Sequence, residues 1–248
     1  LTSNHFLVKT KNLHPPCALL EDEEHHHLSR VLRKGPGDRV WLMDEQGNSY
    51  QAEVMEVGRE RTRLVLLDKR IAPASPLRLV LAQSLLKSKN MDQVVQKATE
   101  LGVWAIVPIE AARSVVRLEG RETPKLERWR KIAREAAKQS RRSDIPSLLP
   151  PQTLLSFLEA RDESKKIILC ESGGAPLREV LAAGFGPAGE RKPPAVAVLV
   201  GPEGGWTREE EEQAFERGFE AASLGGRILR SETAALAVSA AISIFWGV

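Results

Sequence analysis

Two glycine-rich turns hold the residues of this chain best suited to chemistry. An apolar run, Ala195-Val-Ala-Val-Leu-Val200, empties into Gly201-Pro-Glu-Gly-Gly205. Some twenty residues later, Leu224-Gly-Gly-Arg-Ile-Leu-Arg-Ser-Glu-Thr-Ala-Ala235 turns straight into a helix of small residues. In open α/β sheets, ligands bind at the carboxyl ends of the strands. Glycines there let backbone N–H and C=O groups reach a ligand without a Cβ in the way. Neither turn is a phosphate cradle: no Lys-Ser/Thr follows the first, neither spells the dinucleotide fingerprint, and Glu203 repels a pyrophosphate. A carboxylate among backbone amides suits a neutral or cationic ligand with hydrogen-bonding edges. Singly, each Gly-Gly reads equally as a tight strand-to-helix turn; together they predict one site built from two loops.

Cations form the second chemical feature. Arg128, Arg130, Lys131, Arg134, Lys138, Arg141 and Arg142 place seven positive charges within fifteen residues, relieved only by Glu135. A helix whose apolar stripe runs through Leu126, Trp129 and Ile132 turns these charges outward, either as a plain solvated face or as a ridge for phosphates. Arg113 and Arg117, four apart after a strand end, extend the ridge, and Arg30 and Arg33 supply a second patch. Two patches on two domains suit folded RNA, which is read by shape and by splayed loops. The triplet His25-His26-His27 has no paired carboxylate or cysteine at ligand spacing, so no metal is expected there.

The elements that must position these residues follow from periodicity. Val40–Met43 and Tyr50–Val57 flank the turn Asp44-Glu-Gln-Gly-Asn48, and in the second strand Tyr50, Ala52 and Val54 alternate with Gln51 and Glu53. That is the period-two pattern of a half-buried strand, and Arg61–Leu67 adds a third. Lys34-Gly-Pro-Gly-Asp38 turns a short helix into the hairpin. Two prolines in Ile71-Ala-Pro-Ala-Ser-Pro76 mark a linker. Beyond it, buried-strand runs at 77–81, 104–107, 167–170, 196–200 and 221–224 alternate with helices, one with Met91, Val94, Val95, Ala98 and Leu101 on one face. Alternation of this kind predicts an α/β sheet. The chain of 248 residues is 42% hydrophobic and 28% charged, with a net charge of +3, ordinary for a globular protein. Its two cysteines, Cys17 and Cys170, form neither a metal spacing nor a disulfide framework. With no run long enough for a membrane span and no signal-peptide core, a cytoplasmic setting is expected.

The motifs also match a family. Val200-Gly-Pro-Glu-Gly-Gly-Trp206 and Leu224-Gly-Gly-Arg-Ile-Leu-Arg-Ser-Glu-Thr-Ala-Ala-Leu236 closely resemble the RsmE family of ribosomal RNA uridine-N3 methyltransferases, of the SPOUT class. The resemblance extends through Met91-Asp-Gln-Val-Val-Gln-Lys-Ala-Thr-Glu-Leu-Gly102, Arg113-Ser-Val-Val-Arg117, Glu135-Ala-Ala-Lys-Gln-Ser-Arg141 and His27-Leu-Ser-Arg-Val-Leu-Arg33. It covers nearly the whole chain in the family's order. It implies a PUA-like RNA-binding β-barrel over 1–72, then a SPOUT-type α/β domain with a trefoil knot over 73–248. It also implies S-adenosylmethionine as cofactor and a homodimer, to which the small residues of the final helix would contribute. The implied substrate is one uridine (position 1498) of 16S ribosomal RNA, naked or within the small ribosomal subunit.

By the same resemblance the cofactor loops run from Leu199 through Val200, Gly201, Pro202, Glu203, Gly204 and Gly205, and from Leu224 through Gly225, Ile228, Leu229, Arg230, Glu232, Thr233 and Ala234. Glu232 has a second reading as a carboxylate favoured by the helix dipole. Uracil N3 must shed a proton, for which Glu203 or Glu232 could serve as acceptor, while Arg113 or Arg230 could stabilise charge on the uracil oxygens. RNA contacts are expected from Arg30, Arg33, Arg113, Arg117, Arg134, Lys138 and Arg141. Two other functions stand beside this one. The first is a SPOUT enzyme with another RNA target, whose loops would look alike, so that the target rests on the amino-terminal barrel and the 113–141 segment. The second is a non-catalytic RNA-binding assembly factor, against which the unbroken glycine loops argue.

Overall fold

The computed structural model describes residues 5–44, 48–70, 77–117, 120, 122–140, 142, 144–183 and 195–246. The expected linker at 71–76 lies outside them. Contacts divide the chain into two units: the amino-terminal strands together with Arg134–Ile145, and the remainder from Leu77 onward.

The first unit is a six-stranded sheet built from β1 (His5–Val8), β2 (Leu13–His14), β3 (Cys17–Glu21), β4 (Arg39–Asp44), β5 (Ser49–Val57) and β6 (Arg61–Arg70). Its order is β1-β4-β5-β6-β3-β2. The expected alternation holds: Tyr50, Ala52 and Val54 turn inward with Phe6, Leu20, Leu42 and Leu64 to make one core. Asp44 fixes the start of β5, since its carboxylate accepts from the Asn48 N–H at 2.9 Å and from the Tyr50 hydroxyl at 3.0 Å. The turn before β4 depends on Gly37 at φ +88° and on Asp38, which accepts from the Gly35 N–H at 2.9 Å.

Between β3 and β4 lies α1 (Asp22–His26), which continues as a wider π-helical turn over His27–Val31. The helix therefore begins ahead of the histidine triplet. His25 is buried, with Nδ1 2.8 Å from the Thr62 hydroxyl and Nε2 3.3 Å from the Arg59 carbonyl, so it ties the helix to the sheet. Among the described residues no group of His, Cys, Asp and Glu side chains is arranged to hold a metal ion.

The second unit is an all-parallel sheet of β7 (Arg78–Ser84), β8 (Ala105–Glu110), β9 (Ser147–Leu148), β10 (Gln152–Thr153), β11 (Lys165–Leu169), β12 (Ala175–Pro176), β13 (Ala195–Val200) and β14 (Glu220–Ser223). The main order is β10-β8-β7-β13-β11-β14-β12, with β9 beside β8. Strands such as β13, with Val196 to Val200 all buried, are uninterrupted apolar runs because both faces are covered. The helices are α2 (Ser88–Glu100), α3 (Glu122–Ser140), α4 (Leu154–Glu159), α5 (Leu177–Ala182), α6 (Arg208–Glu216) and α7 (Ser231–Trp246). The stripe Met91, Val94, Val95 and Ala98 of α2 is fully buried, as its spacing requires. No described helix is long and apolar enough to cross a membrane.

Candidate active site

Three strands of the parallel sheet, β13, β11 and β14, end side by side, and each runs into a glycine turn. The turns 201–206 and 224–230, with Cys170 to Ser172 at the start of the third, line a cavity of about 550 Å³ together with Arg113, Glu211, Ser231 and Ala234. This is the carboxyl edge where a parallel sheet places its ligands.

The first turn is held rigidly from four directions. Trp206 folds back beneath it, buried, and its Nε1–H donates to the Leu169 carbonyl at 3.2 Å. Gly201 rests on that ring: a Cβ there would lie 3.1 Å from Trp206 Nε1. Arg113 Nη1 donates to the carbonyls of Gly204 at 3.0 Å and Trp206 at 3.1 Å. The Ser231 hydroxyl donates to the Gly201 carbonyl. Gly205 takes φ +68° and its N–H closes the turn on the Pro202 carbonyl at 3.0 Å. Thr207 then caps α6 in a capping box with Glu210. The same Glu210 carboxylate accepts from the Ala112 N–H at 2.7 Å, which anchors the segment carrying Arg113.

The second turn is more open. Gly225 adopts φ +114°, a conformation that side chains disfavour. Within the described residues the backbone N–H groups of Gly225 to Arg230 donate to no protein acceptor. These residues line the cavity, Ile228 and Leu229 adding apolar side chains.

The third turn escapes sequence reasoning, although Cys170-Glu-Ser-Gly-Gly174 repeats the pattern of an apolar strand emptying into paired glycines. Gly174 is required by packing: a Cβ there would fall 2.7 Å from the Ala222 carbonyl carbon and 3.0 Å from its nitrogen. Gly174→Ala must push β14 aside, and is expected to lower stability by about 1–3 kcal/mol. Thermal denaturation checks this; an unchanged melting temperature would show that the turn yields freely.

Charges of both signs line the cavity: Glu171, Glu203 and Glu211 with Arg113, Arg227 and Arg230. Such a cleft suits a ligand that itself carries both signs. Cys170, also lining it, is chemically quiet, because burial and the adjacent Glu211 carboxylate push its thiol up to about 12.

Of the residues read from sequence as cofactor-binding, Val200 to Gly205, Leu224, Gly225, Ile228, Leu229, Arg230 and Ala234 line the cavity. Leu199, Glu232 and Thr233 do not. Leu199 points into the core between sheet and helices. Glu232 is buried in the first turn of α7, and Thr233 turns to solvent. The candidate catalytic residues Glu203, Arg113 and Arg230 all reach the cavity wall. Arg117 lies outside it and donates to the Ala112 carbonyl at 3.2 Å.

The expected basic ridge on α3 needs correction. Lys138 is buried rather than presented to solvent, paired with Glu24 and, at 2.9 Å, with Glu135. Arg134–Ile145 groups with the barrel unit, and Ala136, Ala137 and Lys138 are buried there. Burial raises the Glu24 carboxyl against the opposing pull of Lys138. Arg128 is engaged by Asp92 at 2.7 Å, Arg130 by Glu127 at 2.6 Å and Arg142 by Asp144 at 2.8 Å. Arg141 lies outside the described residues. Arg30, Arg33 and Arg134, all in the barrel unit, remain exposed and meet no carboxylate among the described residues.

Comparison with known proteins bears on both units. Residues 73–243 match the RNA methyltransferase domain family, and residues 20–67 match the RNA methyltransferase PUA domain. The ribosomal RNA small subunit methyltransferase E of Bacillus subtilis is 31% identical over 239 residues, spanning 96% of this chain and 93% of its own. Its Aquifex aeolicus counterpart is 30% identical, spanning 89% and 90%. The crystal structure of the Neisseria gonorrhoeae enzyme of that name, bound to S-adenosyl methionine, superposes with a TM-score of 0.84 at 34% identity, covering 98% of this chain and 97% of that one.

Proposed function

The chain belongs to the RsmE family of RNA methyltransferases, which join a PUA domain to a cofactor-binding α/β domain, and from that membership we propose that it methylates uracil N3 of one uridine in 16S ribosomal RNA. The observation that carries this reading is the cavity lined by two glycine turns and the start of a third, in a chain similar to family members over nearly its full length.

The residues present fit S-adenosylmethionine. Unengaged backbone donors at 225–230 suit the edge of an adenine and ribose hydroxyls, with Ile228 and Leu229 as apolar walls. The carboxylates of Glu171, Glu203 and Glu211 suit its cationic end, and the arginines suit its carboxylate. When bound, this cofactor supplies an electrophilic methyl group on a sulfonium.

The reaction would break the N3–H bond of uracil and the S–CH₃ bond of the donor, form an N3–CH₃ bond, and release one proton and the neutral thioether. Positioning lowers most of the barrier in such an in-line displacement. Arg113 spends Nη1 on the loop carbonyls, and among the described residues its Nε and Nη2 make no hydrogen bond, so they can steady negative charge on the uracil oxygens. Arg230 is a further cation on the wall, and Glu203 is an exposed carboxylate of the first turn that can take the N3 proton.

In this reading the α/β unit is of SPOUT type with a trefoil knot in its carboxyl-terminal part. The sheet order supports it, since the late strand β13 lies between the earlier β7 and β11. The enzyme acts as a cytoplasmic homodimer on the small subunit or its RNA, with domains dividing at residue 72. Ile244 and Phe245, which α7 leaves exposed, support a partner on that helix.

The test is methylation of small-subunit RNA from a strain lacking the modification, followed by nucleoside digestion and mass analysis. 3-Methyluridine is expected; a different methylated nucleoside would reassign the target, and none at all would sink the enzymatic reading. Holding of RNA rests on Arg30, Arg33 and Arg134. Replacing all three with Ala is expected to reduce the slope of log affinity against log salt by roughly 2–3, because each lost phosphate contact releases about one counterion fewer. An unchanged slope in filter binding would move the RNA to another surface.

A further inference from the structure

We infer that Gln83, at the end of β7 and outside the cavity, is a positioning residue that sets the two cofactor loops against each other through Ser231. The inference rests on the cofactor assignment above and concerns how the site is held.

Gln83 is fully buried and sits opposite Val200 in the β7–β13 register, beside the strand end where the first glycine turn begins. Its amide Nε2 has two hydrogens, and both are used. One goes to the Ser84 carbonyl at 2.9 Å, the other to the Ser231 hydroxyl oxygen at 2.9 Å. The orientation of the amide is thereby fixed, because a flipped group would set its own oxygen against the Ser84 carbonyl. Since Ser231 accepts from Gln83, its single hydroxyl hydrogen is free to donate onward, and it goes to the Gly201 carbonyl. Ser231 opens α7 directly after the second turn, while Gly201 opens the first. A one-way relay, amide to hydroxyl to carbonyl, therefore couples the second turn to the first.

The polarity of the relay gives a sharp prediction. Glutamate has almost the shape of glutamine, but its carboxylate only accepts. With Gln83→Glu the Ser231 hydroxyl turns toward the carboxylate and leaves the Gly201 carbonyl. Ser231→Ala removes the same bond with one oxygen atom. Each variant is expected to raise the Kd for S-adenosylmethionine about tenfold or more in calorimetry, as a site loosened in its supporting contacts does. Measurements are made well below the melting temperature of every variant. Ser231→Thr, which keeps the hydroxyl, is expected to retain affinity within about threefold. The KM for RNA should stay unchanged while the KM for the cofactor rises, a split that general destabilisation does not produce. If Gln83→Glu does not fold, the contrast between Ser231→Ala and Ser231→Thr carries the test.

A Kd changed by less than about threefold in either Gln83→Glu or Ser231→Ala overturns the inference, because a relay needs both members. A loss in Ser231→Thr equal to that in Ser231→Ala overturns it as well. A parent chain that fails to bind S-adenosylmethionine overturns the proposed function and this inference with it. A parent that binds beside variants that bind equally well overturns the inference alone.

Discussion

Gly201→Val is expected to abolish S-adenosylmethionine binding, with Kd raised at least about a hundredfold, which is about 2.7 kcal/mol. The reason is space rather than chain flexibility. A Cβ at Gly201 meets Trp206 at 3.1 Å from Nε1 and 3.2 Å from Cε2, and the indole cannot retreat because it is buried and bonded to the Leu169 carbonyl. The two further methyl groups of valine then force the turn outward into the cavity. Gly225→Val should act as strongly by a different cause: nothing crowds that position, but φ +114° excludes a β-branched residue. Calorimetric titration reads the loss, and circular dichroism establishes that both variants keep their fold. Normal affinity in either folded variant would make these glycines structural turns without a ligand.

Arg113→Ala is expected to reduce kcat/KM by about a hundredfold or more, the range seen when a preorganised donor to developing charge is removed. Two losses combine. The carbonyls of Gly204 and Trp206 lose their shared donor, and the cavity loses a cation placed to face the uracil oxygens. Arg113→Lys should restore little, since one ammonium does not reproduce a guanidinium that spans two carbonyls and still offers further N–H groups. Steady-state kinetics with varied RNA separates the cases. A variant within threefold of the parent would confine Arg113 to bracing the loop.

Much of the site was legible because it is local. A strand of Val and Leu emptying into Gly201, and Ala221-Ala-Ser-Leu224 running into Gly225, announce themselves within a dozen residues, and the helix that follows begins at Ser231 as its composition indicates. Glu171-Ser-Gly-Gly174 has the same grammar but a weaker signal, since a shorter apolar run and a cysteine precede it. Leu199 and Glu232 lie within the family motif but face the packed interior, and only the sheet and α7 decide which side chain of a motif turns inward. Lys138 was illegible for a plainer reason. Its neighbours in sequence form a basic run, whereas its partner Glu24 comes from α1, and no periodicity reports a contact between residues so far apart. Alternation marks the strands of the first unit, and the family resemblance implies their PUA type, but neither signals that Arg134–Ile145 belongs with them.

The bond between Gln83 and Ser231 joins positions 148 apart in the chain. Together with a sheet whose every pairing is parallel, it has a consequence for when the protein becomes competent during synthesis. Long-range parallel pairing folds slowly, because loop-closure entropy is spent before the contacts form. A nascent chain can complete its barrel early, but it lacks one wall of the cavity until α7 has left the ribosome. Binding of the methyl donor is then the last property acquired in refolding, in step with the slowest phase. Once acquired, it adds RT ln(1 + [L]/Kd) to the native state alone. In the cell the methyl donor is thus the ligand that holds the two ends of this domain together.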